Sequence, residues 1–160
     1  MLGLLLFWSA VGVLVYQYAG YPLGLAALAA LRGPFPRRRY APDAELPMVS
    51  LLISAYNEEE VLERKIENAL ALEYPAGRLE IVVISDGSND RTNEIARGFA
   101  ERGVVLHEYA AQRGKNLALN DSLPRARGEI VVFTDANGMY QPSALQTLVQ
   151  PFADPRVGCV

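Results

Sequence analysis

The residues with the clearest chemical potential are two oxygen donors, Asp135 and Asn137, which follow a short apolar segment and are separated by one residue. In an extended chain both side chains point the same way. A carboxylate and an amide oxygen on one face are ligands that Mg²⁺ or Mn²⁺ accepts when the phosphates of a bound molecule supply further oxygens. The alternative is a plain turn, because Asp-Ala-Asn-Gly is also good turn chemistry.

Three further candidates could bind an anion, a base or a sugar hydroxyl. Arg113 and Lys115 flank Gly114 at a predicted helix start, where fixed cations and free N–H groups are available to an anion. Asp86 could accept hydrogen bonds from a base or a ribose, and Glu58 could do the same. Each also has an ordinary interpretation: a solvated basic tip, a loop-capping aspartate, and a glutamate that favours its helix through the dipole.

The elements that must position these residues alternate between strands and helices. Short, apolar, β-branched segments predict strands near 48–54, 79–85, 104–106 and 129–134. Segments that are apolar on both faces suit strands that are covered on both sides. The helical patterns between them indicate an α/β domain with a Rossmann-like, mostly parallel sheet flanked by helices.

Each predicted strand carries a polar cluster at its carboxyl end, which is where an open parallel sheet binds its ligands. Any one cluster is weak evidence, because surface loops are polar in general. Four clusters at the same edge predict one site. In strand order, the candidate residues are Ala55, Tyr56, Asn57 and Glu58; Asp86; Gly114 and Lys115; and Asp135 with Asn137.

Local signals predict details of the helices. Asn57 and Glu60 have the spacing of a capping pair for the first helix of the domain. Pro124 should shorten or bend the third helix, and Pro142 should open the fourth. The single histidine, His107, is expected to have a packed or partly exposed structural role.

The first 31 residues contain no charged side chain. About 20 apolar residues span a bilayer, so 1–31 is predicted to be one transmembrane helix, with Gly20-Tyr21-Pro22 as a kink or an interface. A cleaved signal peptide is the alternative, although it favours a positive start and a shorter apolar segment. A basic, proline-containing linker is predicted at 32–47, and its arginines place the following domain on the cytoplasmic side. Its arginines are Arg32, Arg37, Arg38 and Arg39.

Composition excludes several classes of site. One cysteine, Cys159, and one histidine cannot form a thiolate zinc site or a disulfide framework. A net charge of −3 has the wrong sign for an obvious nucleic-acid binder, so no nucleic-acid partner is expected. The Gly114-Lys115 pair lacks the earlier glycine and the Ser or Thr of a P-loop.

Four motifs together resemble the family 2 glycosyltransferases, which have the GT-A fold and are in many cases membrane-bound. They are the segments 47–58, 84–90, 114–120 and 133–137, and the resemblance extends over about 47–160. It implies inverting transfer of a sugar from a nucleoside-diphosphate donor, most often a UDP-sugar, to a glycan or lipid acceptor. The implied location is the plasma or inner membrane, with a single span and a cytoplasmic globular part.

The resemblance also implies roles for individual residues. Ala55, Tyr56, Asn57, Glu58 and Asp86 would hold the base and ribose, with Gly114 and Lys115 beside the nucleotide. Asp135 and Asn137 would carry Mg²⁺ or Mn²⁺, although many members have Asp where this chain has Asn137. No catalytic residue is expected within the chain, because family members place the general base further along than Val160. The chain is therefore expected to be the donor-binding half of such an enzyme, inactive by itself. The alternative is a membrane-anchored, non-catalytic nucleotide-binding or interaction module.

Overall fold

The computed structural model describes residues 1–33 and 46–160, and it divides the chain into an N-terminal helical unit and a sheet-containing unit. Most of the predicted basic linker, including Pro34, Pro36 and Arg37–Arg39, lies outside the described residues. Arg32 is the last residue of the N-terminal helix and is exposed.

The N-terminal unit is helical from Leu2 to Arg32, long and apolar enough to cross a membrane, and none of its residues is buried by protein. It consists of α1 (Leu2–Val15), a π-helical turn (Tyr16–Gly20) and α2 (Tyr21–Arg32). The wide turn lies directly before Pro22, and in it the Tyr21 N–H donates to the Tyr16 carbonyl. Proline has no N–H and clashes with the carbonyl four residues earlier, and a π turn accommodates both problems without ending the helix.

The second unit is built on four parallel strands in the order β3-β2-β1-β4. They are β1 (Val49–Ala55), β2 (Leu79–Asp86), β3 (Val104–Tyr109) and β4 (Ile130–Asp135). The predicted strands are confirmed, and β3 extends three residues further than its apolar segment indicated. The register pairs Ser54 with Asp135 and Asp86 with Tyr109, so the strands end at one level. The loops beyond those ends, 55–58, 86–90, 111–115 and 135–138, are called the carboxyl rim below.

Helices cover both faces of the sheet. They are α3 (Leu62–Leu70), α4 (Thr92–Gly98), α5 (Lys115–Ser122) and α6 (Ala144–Val149). Alternate residues of β1 face opposite layers: Leu51 and Ile53 belong to the larger core, which includes residues of α3, α4 and α6, whereas Leu52 joins a smaller core with Ala118 of α5. Burial on both faces explains why the strand segments are almost continuously apolar.

Local signals were partly right. Pro124 does shorten α5, which ends at Ser122 and gives way to a 3₁₀ turn. The capping pair is wrong: α3 begins after Val61 without any side-chain cap, and Asn57 bonds to a different loop. His107 is packed as expected, only 4% exposed, and burial lowers its pKa.

Candidate functional site

The carboxyl rim brings the candidates from all four strands to one edge of the sheet. Ala55 is buried at the end of β1, while Tyr56 and Asn57 are exposed and Glu58 is half-buried. Asp86 is nearly buried at the end of β2. Lys115 begins α5, and Asp135 ends β4. The predicted convergence of these elements is therefore present in the fold.

The first two loops of the rim are held together by hydrogen bonds. The Asn57 N–H donates to Ser88 Oγ at 3.2 Å, and Asn57 Oδ1 accepts from the Asn89 N–H at 2.9 Å. Asn57 has a left-handed backbone with φ of 54°. Its side-chain oxygen is thus used to shape the rim. The Glu58 N–H donates to Thr92 Oγ1 at 2.8 Å, and its carboxylate makes no hydrogen bond within residues 1–33 and 46–160.

Asp90 reinforces this junction. Its carboxylate accepts the N–H groups of Thr92 at 2.9 Å and Glu59 at 3.1 Å. Burial alone would raise the pKa of Asp90, but the hydrogen bonds from Thr92 and Glu59 outweigh it and hold the pKa below its usual value. At neutral pH Asp90 is therefore ionised, and its carboxylate links the two loops through these hydrogen bonds.

Asp86 holds the third loop of the rim. Its Oδ1 accepts the Arg113 N–H at 3.0 Å, and its Oδ2 accepts the Gly114 N–H at 2.8 Å. Gly87 lies directly against the same loop with φ of +73°, and a Cβ there would be 2.2 Å from the Gln112 nitrogen. This geometry matches the loop-capping interpretation of Asp86. Its carboxylate sets the position from which Lys115 reaches the rim.

Lys115 and Asp135 form an ion pair across the rim, between the start of α5 and the end of β4. Both side chains are more than half exposed, so the pair adds little stability and can exchange partners readily. Arg113 is engaged elsewhere, since its guanidinium pairs with Asp121 at 2.5 Å and lies 4.6 Å from the centre of the Tyr109 ring. Of these two cations, Lys115 is therefore the one that pairs with Asp135.

Asp135 and Asn137 are both exposed, on either side of the fully buried Ala136. Within the described ranges, no three His, Cys, Asp or Glu side chains come close enough together to hold a metal ion. One carboxylate and one amide fit a divalent cation only when oxygens of another molecule complete its coordination shell. The donor set thus fits a cation that arrives with phosphate groups.

Two residues that sequence reasoning missed lie behind this turn. Lys65 of α3 is fully buried, and its Nζ donates to Thr134 Oγ1 at 3.1 Å and to the Gly138 carbonyl. Burial lowers the pKa of Lys65, and the nearby Asp135 carboxylate opposes this shift. Asn68, one turn later, bonds to the backbone of Tyr140. The sequence did contain a signal for the burial of Lys65, which lies on the apolar stripe of α3, three residues after Leu62 and four before Ala69.

The family model for "Glycosyl transferase family 2" matches residues 50–160. The chain belongs to this family. The match confirms the resemblance carried by the four motifs and covers nearly the same residues.

Curated relatives within glycosyl transferase family 2 are similar over most of the chain. A β-monoglucosyldiacylglycerol synthase of Trichormus variabilis is 36% identical over 145 residues, 86% of this chain. A poly-β-1,6-N-acetyl-D-glucosamine synthase of Staphylococcus aureus is 33% identical over 118 residues, 72% of this chain. The chain spans 30% and 28% of the lengths of these two relatives.

A solved structure supports the GT-A fold. It is the mannosyltransferase PcManGT of Pyrobaculum calidifontis in complex with GDP-Man and Mn²⁺, which is 36% identical and superposes with a TM-score of 0.77. The superposition covers 91% of this chain and 44% of the mannosyltransferase. The parallel sheet with helices on both faces is therefore of GT-A type, as the motifs predicted.

Proposed function

We propose that this chain forms the donor-binding part of a membrane-bound glycosyltransferase that takes a sugar from a nucleoside-diphosphate sugar. The observation that carries the proposal is the convergence of Glu58, Lys115, Asp135 and Asn137 on one rim of a family 2 domain. The relatives named as glycolipid and polysaccharide synthases support a lipid or glycan acceptor.

The rim residues divide the work of donor binding. Asp135 and Asn137 would hold Mg²⁺ or Mn²⁺ through their side-chain oxygens, together with the diphosphate. The bound cation would stabilise the negative charge that develops on the departing nucleoside diphosphate. Lys115 would exchange Asp135 for a phosphate oxygen and share in this stabilisation. Glu58, whose carboxylate is not engaged by the described residues, would accept hydrogen bonds from the ribose or the base.

Titration of the detergent-solubilised 160-residue chain with UDP and GDP, in Mn²⁺ and in EDTA, tests this assignment. The resemblance favours UDP, whereas the similar mannosyltransferase was solved with GDP-Man, so both nucleotides are needed. We expect one of them to bind at least about tenfold more tightly in Mn²⁺, equivalent to about 1.4 kcal/mol. If neither UDP nor GDP binds, the donor site is refuted. If the nucleotide that binds has the same affinity in Mn²⁺ and in EDTA, the cation site is refuted.

Membrane attachment is the second part of the proposal. The helix Leu2–Arg32 carries a charged side chain only at Arg32 and exposes its large apolar side chains. Such a surface is stable in a bilayer, and arginines after the span favour a cytoplasmic domain.

The single cysteine allows the orientation to be measured, because Cys159 is exposed and is the only thiol of the chain. In bacterial cells that produce the chain, a membrane-impermeant maleimide should label Cys159 only after the inner membrane is opened. A Cys159→Ser chain supplies the background. Labelling of cells in which only the outer membrane is permeable would place the domain on the opposite side.

A further inference from the structure

Helix α3 reaches the segment that follows β4 through two side chains on one face. Lys65 and Asn68 are one turn apart, and both point to residues 134–140, which contain Asp135 and Asn137. Within residues 134–140, two weak hydrogen bonds of 3.3 Å are donated to the Asp135 carbonyl, one by the Gly138 N–H and one by Thr134 Oγ1. Most of the fixed contacts of this turn therefore come from α3.

Asn68 binds both polar groups of a single backbone residue. Its Nδ2 donates to the Tyr140 carbonyl at 2.9 Å, and its Oδ1 accepts the Tyr140 N–H at 2.8 Å. This paired contact fixes the position and the orientation of the backbone where the turn ends. An amide side chain is the group that can donate and accept in this way.

Lys65 fixes the other parts of the turn. Its ammonium donates to Thr134 Oγ1, just before Asp135, and to the Gly138 carbonyl, just after Asn137. It also lies 4.3 Å from the centre of the Tyr140 ring. Its hydrogen bonds thus hold the chain at the residue before Asp135 and at the residue after Asn137.

A buried ammonium is expensive, and a core position on α3 could hold an apolar side chain at lower cost. Within the described ranges no carboxylate forms a salt bridge with Lys65. Burial lowers the pKa of Lys65, and the charge of the Asp135 carboxylate opposes this shift. The cost of burying this ammonium is therefore associated with the segment 134–140, because its hydrogen bonds to Thr134 and Gly138 and its contact with the Tyr140 ring all lie there.

We propose that Lys65 and Asn68 are positioning residues that fix the 134–140 turn, so that Asp135 and Asn137 direct their oxygens to the same cation. The inference rests on the proposed function of this turn. It assigns to α3 the role of a support that neither touches the donor nor supplies a ligand. Side chains that orient metal ligands in this way typically affect metal affinity by about 10- to 100-fold.

The test compares Lys65→Met and Asn68→Ala with the unaltered chain in the UDP and GDP titration. In each variant we expect Mn²⁺ to raise the nucleotide affinity about tenfold less than it does in the unaltered chain. The affinity in EDTA should stay the same. Hydrogen exchange of the metal-free chains should show faster exchange at the Tyr140 amide in Asn68→Ala. Glu80→Gln is the matched control, since Glu80 is also buried and bonded, to Ser50 and Arg127 near the opposite ends of the strands.

The outcomes separate the two proposals. If neither nucleotide binds the unaltered chain, the proposed function and the positioning role both fail. If a nucleotide binds but Mn²⁺ does not tighten it, the cation site and the positioning role fail. If the unaltered chain shows the tightening and folded Lys65→Met and Asn68→Ala variants keep it, only the positioning role fails. The same holds if Glu80→Gln reduces the tightening equally, because the effect would then reflect general destabilisation. If Lys65→Met does not fold, Asn68→Ala decides, since it leaves the buried lysine in place.

Discussion

Replacing Asp135 with asparagine is expected to weaken nucleotide binding in Mn²⁺ by about 10- to 100-fold while leaving binding in EDTA equal or slightly tighter. Asparagine keeps the shape of the side chain but removes the one carboxylate of the Asp135–Asn137 pair, and neutral amides are poorer ligands for a hard cation. The change also frees Lys115 from its ion pair. In EDTA, Lys115 of the variant can therefore bind the phosphates without first leaving a carboxylate, which keeps or slightly raises the nucleotide affinity. A loss of affinity that is confined to Mn²⁺ distinguishes a metal ligand from a residue that merely supports the fold.

The same titration measures this prediction, and Glu67→Gln is its control. Glu67 pairs with Arg102 at the protein surface, away from the carboxyl rim, so the variant removes an equal charge without touching the site. It should bind as the unaltered chain does. Full Mn²⁺ dependence in Asp135→Asn would show that the cation binds elsewhere.

The fold could be predicted from the sequence because the pattern of apolar residues in each strand indicates how the strand is buried. The segments at 48–54 and 79–85 are apolar on both faces, which suits central strands, and these became β1 and β2. Parallel strands in register end together, so the chemistry at Asp135 and Lys115 could be assigned to one edge before any distance was known. The ion pair between Lys115 and Asp135 shows that the two residues do meet at that edge.

Side-chain partners distant in sequence could not be predicted. Asn57 had the spacing of a helix cap, but it bonds to Asn89, 32 residues away, in a loop whose approach depends on the packed sheet. Lys65 was hidden for a similar reason: a lysine on a helix is normally solvated, and only the arrival of Gly138 and Thr134 against α3 creates partners for a buried one. Asp86 was assigned two alternatives, and the backbone of residues 113 and 114 favours the loop-capping one.

Replacing Gly87 with alanine is expected to lower the free energy of unfolding by roughly 2–4 kcal/mol, because overpacking adds to a strained positive φ. A Cβ at this position would lie 2.2 Å from the Gln112 nitrogen and 2.5 Å from the Ala111 carbonyl carbon, both backbone atoms that cannot rotate away. The loop must therefore withdraw, and with it the N–H groups that Asp86 accepts and the start of α5. Chemical denaturation measures the stability, and the nucleotide titration measures the site.

Gly98→Ala is the matched control for Gly87→Ala. Gly98 ends α4 without a positive φ, and a Cβ there meets nothing within 4 Å, so the same substitution should leave stability unchanged or raise it by up to about 1 kcal/mol. Gly87→Ala should also weaken nucleotide binding in Mn²⁺ and in EDTA alike, because displacement of Lys115 removes a phosphate contact that needs no cation. That pattern differs from the one expected for Asp135→Asn. Equal behaviour of Gly87→Ala and Gly98→Ala would mean that the 111–115 loop neither packs on Gly87 nor sets the position of Lys115.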